Sequence, residues 1–145
     1  MARAIFSIVA GLITAVALIG GMTILTHRLY PPPPGVDARD PEAIRELIAV
    51  MPISALILIV VGWILGAGLG SHMAVRVARR AVRWPGFLVG TLIVLASLYN
   101  LFTIPHPIWF FVVAVIGVPL ATWIGTQTAY SGGPTTSPTE PSPAP

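Results

Sequence analysis

The chain has 145 residues, room for one compact domain. Apolar residues make up 55% of it and charged residues 9%, against roughly 25% charged in an ordinary soluble domain, and the mean hydropathy is +0.87. So few charges cannot cover a surface facing water, and composition alone specifies a membrane protein. The absence of cysteine excludes disulfides, zinc–thiolate sites, iron–sulfur clusters and thiol catalysis. The absence of lysine excludes Schiff-base and P-loop lysine chemistry. The net charge of +3 comes with basic residues that are all arginines, four of them in one short loop. In a membrane chain this clustering is a topology signal, and no nucleic-acid partner is expected.

Residues 5–25 form the first apolar run, preceded by Arg3 and followed by His27 and Arg28. As a helix it is about 31 Å long, one hydrocarbon thickness. Ala15-Val16-Ala17 mimics a signal-peptide cleavage site, but cutting there would split a run that continues to Leu25, so an uncleaved anchor is expected. Pro31 to Pro34 cannot be helical and should form a short extended strut. Asp40-Pro41-Glu42 then reads as a helix start: an N-cap side chain, proline at the first helical position and an acid in the positive first turn. Residues 47–75 carry no formal charge and would span about 43 Å as one helix. The second span, taken as residues 47–73, must therefore tilt, kink at Pro52 or project beyond the bilayer.

Arg76, Arg79, Arg80 and Arg83 follow at i, i+3, i+4 and i+7, which places them on one helical face. Trp84-Pro85-Gly86 opens the third span, residues 85–102. The linker Thr103-Ile104-Pro105-His106 is short enough to force an antiparallel hairpin with the fourth span, residues 107–126, where a kink is expected at Pro119. Residues 131–145 hold only Ser, Thr, Pro, Gly, Ala and Glu140. With no apolar surface to bury, this tail should be disordered. It contains no P-x-x-P flanked by a basic residue, which argues against a proline-rich ligand. The expected fold is an all-α membrane protein: a four-transmembrane-helix bundle over residues 1–130 with a disordered C-terminal tail.

Helices in lipid associate through close packing at small residues, because lipid tails are as apolar as leucine. Gly62, Gly66 and Gly70 make a glycine zipper on span two, and Gly117, Ala121 and Gly125 a similar face on span four. Ser7, Gly11 and Ala15 do the same on span one, and Gly86 and Gly90 on span three. These faces either pack within one bundle or, for span two, pair with a second copy or another membrane protein.

No Asp, Glu or Arg falls inside a span, which argues against a proton-coupled pump. It also removes the small multidrug-exporter reading, which depends on a membrane glutamate. Asn100 is the clearest polar side chain in the apolar stretches, suited to an interhelical hydrogen bond. His27 and His106 fall at the same surface, near Tyr30, Tyr99 and Trp109. Two imidazoles and a nearby carboxylate suit a divalent metal, but no local H-x-x-x-H or H-E-x-x-H spacing supports one. His72, one turn before Arg76, reads as an interface residue. There is no G-x-S-x-G, G-x-G-x-x-G or P-loop in a suitable context. No enzyme, no cofactor and no metal is expected. The arginine face of Arg76, Arg79, Arg80 and Arg83 orients the chain and meets anionic headgroups of the bilayer, its expected partner.

Leu29-Tyr30-Pro31-Pro32-Pro33, Asp40-Pro41-Glu42 and Ile104-Pro105-His106-Pro107 with Trp109-Phe110 resemble a group of small uncharacterised bacterial four-span inner-membrane proteins. The resemblance covers about a third of the chain. It implies a bacterial inner membrane and four spans, and brings no activity or catalytic residues. The expected function is non-enzymatic helix packing or partner binding; the alternative is a small transporter or channel subunit for a neutral or apolar solute, with Asn100, Pro52 and Pro119 near its path.

Arginine counts set the orientation. Arg3 and the four loop arginines stand on one side, against Arg28, Arg39 and Arg45 on the other, so both termini are expected in the cytoplasm. Reporter fusions after Arg83 and after Gly133 should both read cytoplasmic; a periplasmic signal at either position overturns this topology.

Overall fold

The computed structural model describes residues 2–31, 33, 40–78 and 82–131, which form five helices and, among these residues, no strand. They are α1 (Ala2–Leu29), α2 (Pro41–Val50), α3 (Ile53–Val77), α4 (Trp84–Thr103) and α5 (Ile108–Ser131). Four of them, α1, α3, α4 and α5, are long and apolar enough to cross a membrane. The chain is an all-helical, multi-pass membrane protein.

Local chemistry explains the boundaries. Asp40 caps α2, its side chain accepting a hydrogen bond from Glu42 N–H at 3.0 Å, with Pro41 at the first helical position. The apolar stretch beginning at Leu47 is not one helix. Pro52 disfavours helical geometry at the residue before it, and Met51 and Pro52 both adopt extended backbone at φ −69°, ψ 132° and φ −64°, ψ 145°. Residues 47–50 therefore finish α2, and the span starts at Ile53. Pro119 behaves differently: α5 is helical on both sides of it. Neighbouring helices make such a break in backbone hydrogen bonding tolerable within lipid.

Arg76 and Arg83, expected on one helical face, do not share a helix. α3 ends at Val77, and Arg83 is the N-terminal cap of α4 in helical geometry at φ −90°, ψ −24°. Arg76 and Arg83 thus belong to different helices, separated by the turn that lets α4 reverse direction. Arg79 and Arg80 lie outside the described residues, as do most of the polyproline loop and the tail beyond Ser131.

α3 is the centre of the bundle. It touches α1, α4 and α5, whereas among the described residues α1 and α5 do not meet. Burial agrees: 44% of the most apolar stretch of α3 is buried, against 11% in α1. α1 and α4 run antiparallel to α3 and α5 runs parallel to it, as the pairs Gly11 with Gly70, Gly62 with Met22, Gly86 with Ser71, Gly117 with Ile64 and Gly125 with Gly68 establish. The start of α1, the end of α3, the start of α4 and the end of α5 therefore share one end of the bundle. The α4–α5 hairpin and α2 occupy the other.

Small residues set the spacing. The Gly62, Gly66 and Gly70 ridge lies against α1 of the same chain. A methyl group on Gly66 would stand 2.7 Å from Ile19 Cγ1 and 3.1 Å from the Ala15 carbonyl, and one on Gly70 would stand 2.8 Å from Ala15 Cβ. Ser7, Gly11 and Ala15 are the buried residues of the facing stripe. On the other side of α3, Gly125 packs on the backbone of Gly68, and Gly117 sits under Ile64. Gly86 and Gly90 receive Thr126 and Thr122 of α5. Gly20 and Gly21 differ from all of these, because nothing lies within 4 Å of where their side chains would be.

This contrast gives a test. Gly66→Leu and Gly125→Ala should each destabilise the monomer by about 1–3 kcal/mol through overpacking. Gly21→Ala should be neutral or stabilise by up to about 1 kcal/mol through helix propensity, and Leu58→Ile should change little. Melting temperatures in detergent, with mass measured by light scattering, check the series. Equal effects at Gly66 and Gly21 would contradict the assigned packing.

Candidate functional site

The hairpin end holds the densest chemistry in the molecule. Trp63 lies ten residues beyond Ile53, about 15 Å along α3, yet its ring meets His106 of the hairpin at 6.3 Å and Phe110 at 5.5 Å, both edge to face. The hairpin lies level with the first turns of α3, as the pairing of Gly86 with Ser71 and of Gly117 with Ile64 requires, and the Trp63 ring packs beneath it. α2 stands beside them. Together they bound a cleft of about 490 Å³ lined by Arg45, Ile48, Met51, Leu56, His106 and Trp109, among others.

The hairpin is shaped by its own backbone. Ile104 N–H donates to the Asn100 carbonyl at 2.9 Å to close α4, and Phe110 N–H donates to the Pro107 carbonyl at 3.0 Å to open α5. His106 Nδ1 is 2.7 Å from the Ile104 carbonyl. A carbonyl only accepts, so Nδ1 carries the hydrogen and Nε2 is an acceptor in the neutral ring. The imidazole stacks on Phe110, with centroids 4.5 Å apart and planes inclined by 21°. Phe110 is fully buried, and Trp109 packs on it at 5.7 Å. Burial holds the His106 pKa below its usual 6.5, and the hydrogen bond to the Ile104 carbonyl only partly opposes this. The cleft thus presents a neutral imidazole among apolar and aromatic walls.

Arg45 supplies the positive charge. Its nearest carboxylate, Glu42, is 4.0 Å away, and both side chains are largely exposed; such a pair holds the guanidinium weakly. α2 is amphipathic, with Ala43, Ile44, Leu47 and Ile48 half-buried and Glu42, Arg45 and Glu46 exposed. Among the described residues it makes no close helix–helix contact. This is the pattern of a helix lying in the water–lipid interface.

The other candidates named from sequence are more dispersed. His27 is exposed near the end of α1. Asn100 is half-buried, and among the described residues no hydrogen bond joins its side chain to another helix. Among the described residues no three His, Asp or Glu side chains group as a metal site. At the opposite end Arg76 is exposed, and the Arg83 guanidinium lies 4.0 Å above the Tyr130 ring, a cation–π contact joining α4 to α5.

Two features had escaped sequence reasoning. Trp63 is a single aromatic within an apolar run, and nothing local pairs it with a hairpin more than forty residues later. Ser71 and Thr126 carry buried hydroxyls with no hydrogen-bond partner among the described residues, where α3, α4 and α5 meet at Gly86. Both look like ordinary small residues of apolar helices until the bundle is assembled. No family model, no curated protein and no solved structure matches the chain.

The depressed His106 pKa has a pH consequence. The unfolded state binds a proton at a higher pH than the folded state does, so the stability owed to the neutral ring is complete above pH 6.5 and is lost as pH falls toward the folded pKa. The melting temperature of the wild type should fall on acidification below 6.5, and the drop should be smaller in His106→Gln. Parallel profiles for the two proteins would contradict the buried neutral imidazole.

Proposed function

We propose that the protein is a non-enzymatic integral membrane protein that acts by helix packing and partner binding. It presents the α2 cleft at one surface and an arginine-bearing end to anionic headgroups at the other. The observation that carries this reading is the internal use of the small-residue faces: the glycine ridge of α3 lies against α1, and Gly68 lies against Gly125. The helices are thereby held at backbone contact on both sides of α3. The cleft of Arg45, His106 and Trp109 is left as a mixed polar and apolar surface for a membrane-protein partner or a second copy.

Transport of a neutral solute is less well supported. Pro119 lines a pocket of about 160 Å³ between α4 and α5 with Ser97 and Leu101, but neither Pro52 nor Asn100 lines it. The three residues expected along a path do not share one.

We place the protein in a bacterial inner membrane with both termini cytoplasmic. The resemblance of the loop and hairpin segments supports the first part, and the arginine distribution the second. The helix directions put the start of α1 and the end of α5 at one end, with Arg3, Arg76 and Arg83.

Two measurements test the proposal. Proteoliposomes holding the full chain should show the same glycerol and urea permeation as empty vesicles; faster permeation would favour the channel reading. Cross-linking in native membranes should capture a partner through the hairpin end, and Ile48→Glu in the cleft should reduce its recovery several-fold. Undiminished recovery would remove the cleft from the interaction.

A further inference from the structure

α3 and α5 enclose another groove, of about 250 Å³, along their sides. Its floor is Gly68, Ala121 and Gly125, where the two backbones meet so closely that no side chain rises to fill the space. Its walls are Leu65 and Leu69 of α3 and Ile124 of α5, which are 42%, 47% and 46% exposed. They stand outward from the bundle and leave the groove open to lipid.

At the arginine end the groove closes on a polar pair. His72 Nδ1 is 3.2 Å from Thr128 Oγ1. The Thr128 hydroxyl donates to the Ile124 carbonyl of its own helix at 2.9 Å, so its oxygen accepts from the imidazole. Arg76 stands one turn beyond His72 and, at eleven residues from Leu65, falls about 20° from it around the helix axis. The stripe that walls the groove therefore runs from leucine through histidine to an exposed arginine. The described acidic residues, Asp40, Glu42 and Glu46, are all at the opposite end of the bundle. Of the other described arginines at this end, Arg3 is on α1, which does not meet α5 among the described residues, and Arg83 is stacked on Tyr130.

We propose that this groove holds one acyl chain of an anionic phospholipid, with the headgroup phosphate paired to the Arg76 guanidinium. The charge complementarity is one-sided: a single exposed cation stands above an apolar slot, with no described carboxylate at that end to compete for it. His72 and Thr128 face the level of the ester groups, between chain and headgroup. The proposal rests on the reading that this end of the protein meets anionic lipid, and it narrows that reading from a surface to a site.

Native mass spectrometry of the full-length chain in mild detergent, loaded with phosphatidylglycerol or phosphatidylcholine, tests it. One phosphatidylglycerol per chain should survive activation that strips phosphatidylcholine. Arg76→Gln should weaken its retention roughly fivefold, the effect of one cation near a charged headgroup. Ile124→Ala and Leu69→Ala, at exposed wall positions that leave folding intact by melting temperature, should weaken retention of both lipids. Arg83→Gln should leave retention unchanged. Equal losses in Arg76→Gln and Arg83→Gln would replace the site with a diffuse basic surface, while no loss in either would remove the anionic-lipid reading as well. Wall variants without effect would overturn the groove, as would a dimer that they dissociate, which would mean that a second copy occupies it.

Discussion

Backbone-to-backbone contact at α3 is the interaction on which the rest of the structure depends. Within a bilayer the hydrophobic effect does not drive one helix against another, because the alternative to a neighbouring helix is an equally apolar lipid. Dispersion and shape must do it, and both fall away within an ångström of added separation. α3 meets this constraint on two sides, with Gly62, Gly66 and Gly70 toward α1 and Gly68 toward α5. A glycine spacing of four residues sets one seam, and a glycine between two of its members sets another. The same helix thus serves two neighbours that do not touch each other among the described residues.

The two ends of the bundle follow from how the other helices hang on this one. At one end the hairpin closes over the first turns of α3 on the rings of Trp63, His106 and Phe110, with α2 alongside. At the other, α3 stops at Val77 and the chain reverses into α4, leaving arginines with no acid nearby among the described residues. The described carboxylates, Asp40, Glu42 and Glu46, all stand at the hairpin end beside Arg28 and Arg45, whereas Arg3, Arg76 and Arg83 stand at the other end with no described carboxylate.

Much of this architecture was legible in the residues. The four spans follow from unbroken apolar runs, and the start of α2 from Asp40-Pro41-Glu42, because these signals are local. The break at Pro52 was visible as one of three outcomes; only the extended backbone of Met51 and Pro52 selects it. What sequence could not reveal was which face of α3 meets which helix, since glycines at four-residue spacing look alike whether they meet α1 or another chain. The candidate site was less legible still. His106 and Trp109 stood out beside the hairpin, but the cleft also needs Arg45 from α2 and Leu56 from α3, and no periodicity links three separate segments. The continuous arginine face failed for a related reason: helical spacing is informative only while the helix lasts, and it ends between Arg76 and Arg83.

The unequal lengths of the helices bear on the membrane itself. α1 has 28 residues and α4 has 20, so their axes are about 42 Å and 30 Å long. α4 matches an ordinary hydrocarbon core along its whole length; α1 matches it with its apolar residues 5–25 and carries Arg3, His27 and Arg28 beyond them. The surplus of α1 therefore stands in the headgroup layers, with a cation at each face of the membrane. Sliding the bundle along the membrane normal in either direction would draw a guanidinium into hydrocarbon. The longest helix thus acts as a depth gauge, holding the shorter spans centred in the bilayer.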